Sequence, residues 1–307
     1  MSISTEEMEL ETTIPIDISI FKPYCFSLTP IGSERWDRVF TLHTGNPVHV
    51  VVEQPIKPSR QLKVKTYSEN PLSAKEKDEI GQRLKLELGT DERLRELKVL
   101  AARDSTFKKA LFSSVGFRLF ANSSFDEAFL YIVFSKFMAV PENHLAMKRF
   151  IETHGTPLSW NSKRFEFPSR DYLLSMTKED WKKLRVKGGV SNFMNSIQKI
   201  EEAEIYTYYP VPERGFSKLK YISGIGNFVA RALMTFCARN YQFPIYDQLT
   251  ADILHDLYAI PDAVSLSFFD EFMKRFDPVP GLAIHVLATY QAPLFLRKIH
   301  EEFDLYS

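Results

Sequence analysis

The chain of 307 residues is 44% apolar, enough to bury one or more cores without covalent staples. Its 39 lysines and arginines balance 39 aspartates and glutamates, so no net field draws it toward a polyanion. Two distant cysteines, Cys25 and Cys237, exclude a disulfide framework and a thiolate-held iron–sulfur cluster, and the scattered histidines offer no metal-binding pair, so neither a metal nor a cofactor is expected.

From the N-terminus, Met1 to Thr13 is acidic and polar, and no later run approaches the ~18 apolar residues of a membrane span. A soluble intracellular protein, in cytoplasm or nucleus, is the expectation. Ile16 to Phe21 alternates as a strand does. Val39 to His43 and Val48 to Val52 flank the turn signal Thr44-Gly45-Asn46-Pro47, and a short strand over Leu62 to Tyr67 follows a proline-broken stretch. A small antiparallel sheet domain over residues 1–72 is predicted.

Beyond Asn70-Pro71 the apolar spacing becomes helical. Ser73 with Glu76, and Ser124 with Glu127, have the form of capping boxes. Helices are predicted at about 74–88, 91–102, 105–113, 125–138, 142–154, 169–175, 178–184, 191–202, 215–222, 227–239, 247–257, 267–276 and 281–303. The fold class is therefore α+β, a small sheet followed by a mainly helical body over 73–307. Lys182, Lys183, Arg185 and Lys187 form a basic run, either a local basic face or a solvated helix end.

The informative stretch is Phe216 to Leu233, where Gly224-Ile225-Gly226 breaks one short helix and a second restarts at once. Two glycines allow a tight turn and leave amides pointing outward at a helix N-terminus, where a phosphate can be held without side-chain charge. An ordinary tight turn between helices uses glycine too. Further on, Phe243-Pro244-Ile245-Tyr246-Asp247 places an aspartate where it would cap the next helix.

Ile222, Gly224, Ile225, Gly226, Ala230, Pro244 and Asp247 fill the pattern of the helix-hairpin-helix DNA glycosylase superfamily. The chain resembles its branch of 3-methyladenine and 8-oxoguanine DNA glycosylases. Less specific likenesses at Leu88 to Leu94, Asp104, Gly116 to Leu119, Phe125 to Glu127 and Phe276 to Ala283 extend the resemblance over about Ala74 to Tyr290. It implies a DNA-repair enzyme of two helical lobes behind a small sheet, acting as a monomer on double-stranded DNA containing a damaged base. The backbone at Gly224, Gly226, Phe228 and Val229 would hold phosphate. Asp247 would stabilise the oxocarbenium-like sugar and position or deprotonate water after the base is flipped.

Members that also nick the strand carry a lysine where this chain has Phe228. Without an amine no Schiff base forms, so the resemblance implies a monofunctional enzyme, with Phe228 a wall of the base pocket and alkylated purines the favoured substrate. Phe228 as ordinary core is the alternative. Ser135 to Pro141 lacks the asparagine run of 8-oxoguanine enzymes. Phe137 or Met138 is a candidate wedge between bases, or core. Ile284 and Ala288 replace the glutamine and phenylalanine that hold oxidised guanine, and Ser191 and Asn192 stand where a basic residue is usual. Tyr246 and His285 are pocket candidates, with a surface aromatic and a structural histidine as their alternatives. Two rival readings stand beside this one: an 8-oxoguanine-type glycosylase, and a non-catalytic lesion-binding relative.

Overall fold

The computed structural model describes residues 3–18, 35–54, 56–114, 116, 118–136, 140–183, 190–202, 213–222, 225–261 and 264–303. Gly224, Phe137 and Met138 lie outside them.

An antiparallel sheet leads, in the order β1-β4-β3-β2, from β1 (Ser4–Ile16), β2 (Arg35–Thr41), β3 (Pro47–Glu53) and β4 (Ser59–Ser68). The β2–β3 hairpin closes as the turn signal predicts. Leu42 N–H donates to Asn46 O at 2.9 Å, and Gly45 takes φ +82°, a conformation that favours glycine. The first strand departs from expectation, because β1 lies in the acidic N-terminal segment and ends at Ile16, where the alternation had suggested a strand beginning. The reason is pairing. Leu10 meets Leu62 and Met8 meets Val64 across β4, while Glu9 and Glu7 face Lys63 and Lys65, so an edge strand rich in acid is matched by a basic neighbour.

The helical body comprises α1 (Ala74–Leu88), α2 (Leu94–Arg103), α3 (Ser105–Ser113), α4 (Phe125–Ser135), α5 (Val140–His154), α6 (Arg170–Ser175), α7 (Lys178–Lys183), α8 (Val190–Glu202), α9 (Glu213–Lys220), α10 (Asn227–Ala238), α11 (Gln248–Tyr258), α12 (Leu266–Met273) and α13 (Pro280–Phe303). A second hairpin, β5 (Thr156–Leu158) and β6 (Asn161–Glu166), interrupts the helices and was not legible as strand. It reaches back to the sheet, where Arg164 pairs with Asp37 at 2.6 Å and Thr41 donates to Glu166 at 2.8 Å.

Two cores result. Trp36, Phe40, Val48, Val50, Val52, Leu62 and Val64 pack with Ile80, Leu84 and Leu88, so α1 lies on the sheet. The larger core gathers α4, α10 and α13 around Phe129, Leu130, Phe134, Leu233, Phe236, Ile284 and Leu287. Each such buried side chain contributes about 1.5–3 kcal/mol. Buried arginines join the two cores. Arg38 on β2 donates to Asn122 at 3.1 Å and pairs with Glu127 at the start of α4 and with Glu87 on α1. Arg239, just past α10, donates to Leu86 O on α1 at 2.6 Å. Among the described residues no helix is long and apolar enough to cross a membrane.

Candidate active site

The hairpin is held from beneath. Leu219, Ile222, Ile225, Val229 and Ala230 are buried in the main core, and Ile225 N–H donates to Ile222 O at 2.9 Å to tighten the turn. Gly226 is the N-cap of α10 at φ −83° and ψ 179°, with no side-chain cap, and a Cβ there would meet nothing within 4 Å. Neither backbone strain nor crowding demands glycine at this position. What it does is leave the helix start uncovered. The first bond of the helix runs from Ala230 N–H to Gly226 O at 3.1 Å, so the amides of Asn227, Phe228 and Val229 have no intrahelical acceptor. Val229 is 1% exposed, backbone and side chain together, and belongs to the core, whereas Phe228 is half-buried against it.

Asp247 is the N-cap of α11. Its Oδ1 accepts Thr250 N–H at 2.8 Å, and its own N–H donates to Thr250 Oγ1 at 2.9 Å, a closed capping box. No described residue donates a hydrogen bond to Oδ2, so the carboxylate is oriented through Oδ1 by the Thr250 amide. Capping is expected to hold the group ionised. The balance goes the other way: burial raises its pKa above the ordinary 3.8, the two bonds from Thr250 oppose this only in part, and the negative charge of Asp252 adds to the rise.

No protein-family model and no curated protein matches the sequence. Solved structures do match. The Archaeoglobus fulgidus 3-methyladenine DNA-glycosylase superposes with a TM-score of 0.76 at 15% identity, over 94% of this chain and 99% of that one. The apo 8-oxoguanine glycosylase/lyase of Clostridium acetobutylicum gives 0.71 at 20% identity, over 94% and 99% of the two chains. The same enzyme in complex with double-stranded DNA containing cytosine opposite 8-oxoguanine gives 0.70 at 19% identity, over 93% and 98%.

The chain has the helix-hairpin-helix DNA glycosylase fold.

Within this glycosylase fold the remaining candidates separate. Tyr246 is committed to structure: its hydroxyl donates to Val264 O at 2.7 Å and its ring stacks on Phe269 at 4.6 Å, which fixes the loop entering Asp247. His285 sits on α13 inside the core, 4% exposed, with its ring edge-on to Phe236 at 5.4 Å; burial depresses its pKa to about 4, so it is neutral near pH 7.

One residue of the site's frame escaped the sequence reading. Arg231 is 6% exposed on α10 and binds both Asp270 on α12 and the carbonyl of Pro244. Its signal was present, since a lone charge inside the apolar run Val229 to Phe236 requires buried partners. Arg231 and Asn227 also line a cavity of about 750 Å³ with Phe216, Lys220, Phe243 and Lys274, and Phe216 stacks on Phe243 at 4.1 Å.

Proposed function

We propose that the protein is a monofunctional DNA glycosylase that hydrolyses the N-glycosidic bond of a flipped, damaged base, most readily an alkylated purine, with Asp247 as its catalytic carboxylate. One observation carries this reading: Asp247 is oriented by its own helix cap through one oxygen, with no donor among the described residues on the other, and belongs to a glycosylase fold. The fold's open α10 N-terminus suits the backbone of the strand, whose phosphate would lie on the amides of Asn227 and Phe228.

In this scheme the damaged base leaves the stack, at a cost of a few kcal/mol, and meets the face of Phe228. Bond breaking develops positive charge at C1′ and on the ring oxygen of the sugar. Asp247 stabilises that charge electrostatically, and its carboxylate takes a proton from the water that attacks C1′. The carboxylate must be ionised, so its raised pKa places the onset of activity above the ordinary aspartate range. The base departs with the electron pair of the broken C1′–N bond; Phe228 offers no amine to attack C1′, so the sugar stays in the strand as an abasic site and the strand is not cleaved. The helical region 73–307 carries this chemistry, and the sheet over 1–72 braces it.

The test is single-turnover excision by wild type and Asp247→Asn on duplexes carrying alkylated purines, hypoxanthine, uracil or 8-oxoguanine, developed with and without alkali. Alkali-dependent cleavage of an alkylated purine that disappears in the variant supports the proposal. Cleavage without alkali overturns the monofunctional reading, and duplex binding with no excision of any lesion replaces the enzyme by a lesion-binding protein.

A further inference from the structure

The hairpin presents one large side chain that nothing among the described residues covers. Tyr221, the first residue after α9, is 85% exposed. Its backbone is nonetheless fixed, because its N–H donates to Lys218 O at 3.2 Å, the next N–H donates from Ile222 to Leu219 O at 3.1 Å, and Leu219 and Ile222 are both buried. The ring is therefore held out in water by a backbone anchored in the core. Lys218 and Lys220 beside it are exposed, and Asn227 is exposed at the open start of α10, across the turn.

We infer that Tyr221 is a DNA-contacting residue whose ring packs on the sugar and base edge of a nucleotide in the strand gripped by the hairpin. The inference rests on the glycosylase reading and adds a contact to it. Two arguments carry it. An exposed aromatic forfeits the burial that makes its ring worth keeping, and a nucleotide face restores that burial whatever the base sequence. In addition, lysine and arginine balance aspartate and glutamate at 39 each, so the overall field supplies little attraction to phosphate and uncharged contacts must supply a larger share of the affinity. Lys220 and the α10 amides take the phosphate charge, and Tyr221 adds an apolar grip beside them.

The experiment is a fluorescence-anisotropy titration of a short duplex carrying a stable abasic-site analogue, over a series of salt concentrations, with the full-length protein and its Tyr221→Ala, Tyr221→Phe and Lys220→Ala variants. Tyr221→Ala is expected to weaken binding roughly tenfold at every salt concentration, with the slope of log affinity against log salt unchanged. Tyr221→Phe keeps the ring and stays within about twofold of wild type, whereas Lys220→Ala lowers the slope by about one. The melting temperatures of both tyrosine variants stay at the wild-type value, because the side chain is exposed. Wild-type affinity in Tyr221→Ala, or a changed salt slope in that variant, overturns the inference while the glycosylase reading stands. Absence of duplex binding by the wild type overturns both.

Discussion

Arg231 holds Asp270 through two parallel contacts, Nη1 to Oδ1 and Nη2 to Oδ2 at 2.7 Å each, and the same Nη1 donates to Pro244 O at 2.8 Å. One guanidinium thus pins α10 to α12 and to the loop that delivers Asp247. Arg231→Ala is expected to destabilise the protein by about 2–3 kcal/mol, from a buried void and an unpaired carbonyl, and to slow excision as the loop loosens. Asp270 is 41% exposed at its side chain, so the ion pair itself is screened and Asp270→Asn should cost under about 1 kcal/mol. Thermal denaturation and single-turnover rates of the two variants check this ordering.

Asp247→Asn separates cap from chemistry. Asparagine caps helices as well as aspartate, so stability should change by less than about 0.5 kcal/mol while excision falls by roughly 10²–10⁴-fold. Thr250→Ala does the reverse in part. It removes one half of the capping box at about 0.5–1 kcal/mol and leaves the carboxylate in place, so a several-fold loss of rate is expected.

The raised pKa of Asp247 predicts the acid limb of the rate profile. The ionised form is the active one, so kcat/KM should climb with pH through a midpoint above 3.8 and lie flat beyond it. Its linkage to stability has the opposite sign. Between the unfolded and folded pKa values the native state binds more protons, so this group's contribution to stability falls as pH rises.

His285 acts in the other direction. Its pKa drops from the ordinary 6.5 to about 4 on folding, so its contribution is complete above 6.5 and is lost as pH falls toward 4. Burying this neutral ring makes acidification cost about 3 kcal/mol over that window. Denaturant unfolding of His285→Leu and wild type, compared across the window, should show a shallower acid loss in the variant.

Arg38 supports two carboxylates between sheet and body. The side chains of Arg38, Glu87 and Glu127 are 8%, 1% and 8% exposed. Burial raises the pKa of Glu127, the charge of Glu87 adds to the rise, and Arg38 opposes it together with a hydrogen bond from Asn122. Arg38→Ala should cost about 3–5 kcal/mol by leaving buried charge unpaired. The loss should be smaller near about pH 5 than near about pH 8, because the stranded Glu127 carboxylate takes up a proton on acidification. Urea denaturation at both pH values tests the sign.

Much of this architecture was legible in order along the chain. Capping signals at Ser73 and Ser124 are local, each side chain reaching an amide three residues ahead, and the helices begin where those residues stand. The hairpin was readable because glycines flank Ile225 and the apolar spacing resumes at Val229. Other features were silent because their cause lies far away in sequence. Glu7 and Glu9 form a strand only because Lys65 and Lys63 stand opposite, and β5 and β6 are held by Asp37 and Thr41 on β2. His285 and Tyr246 stand near the aspartate in the sequence pattern, yet one is core and the other a brace.

Most helices, the glycine hairpin and an aspartate at the head of a helix follow from local sequence, since propensity, periodicity and capping act within a few residues; β1, β5 and β6 do not. Packing between distant segments sets which way the pKa of Asp247 moves and makes Arg231 the fastener of its loop. Desolvation and buried ion pairing depend on atoms brought together from separate helices, and no local pattern encodes their distances.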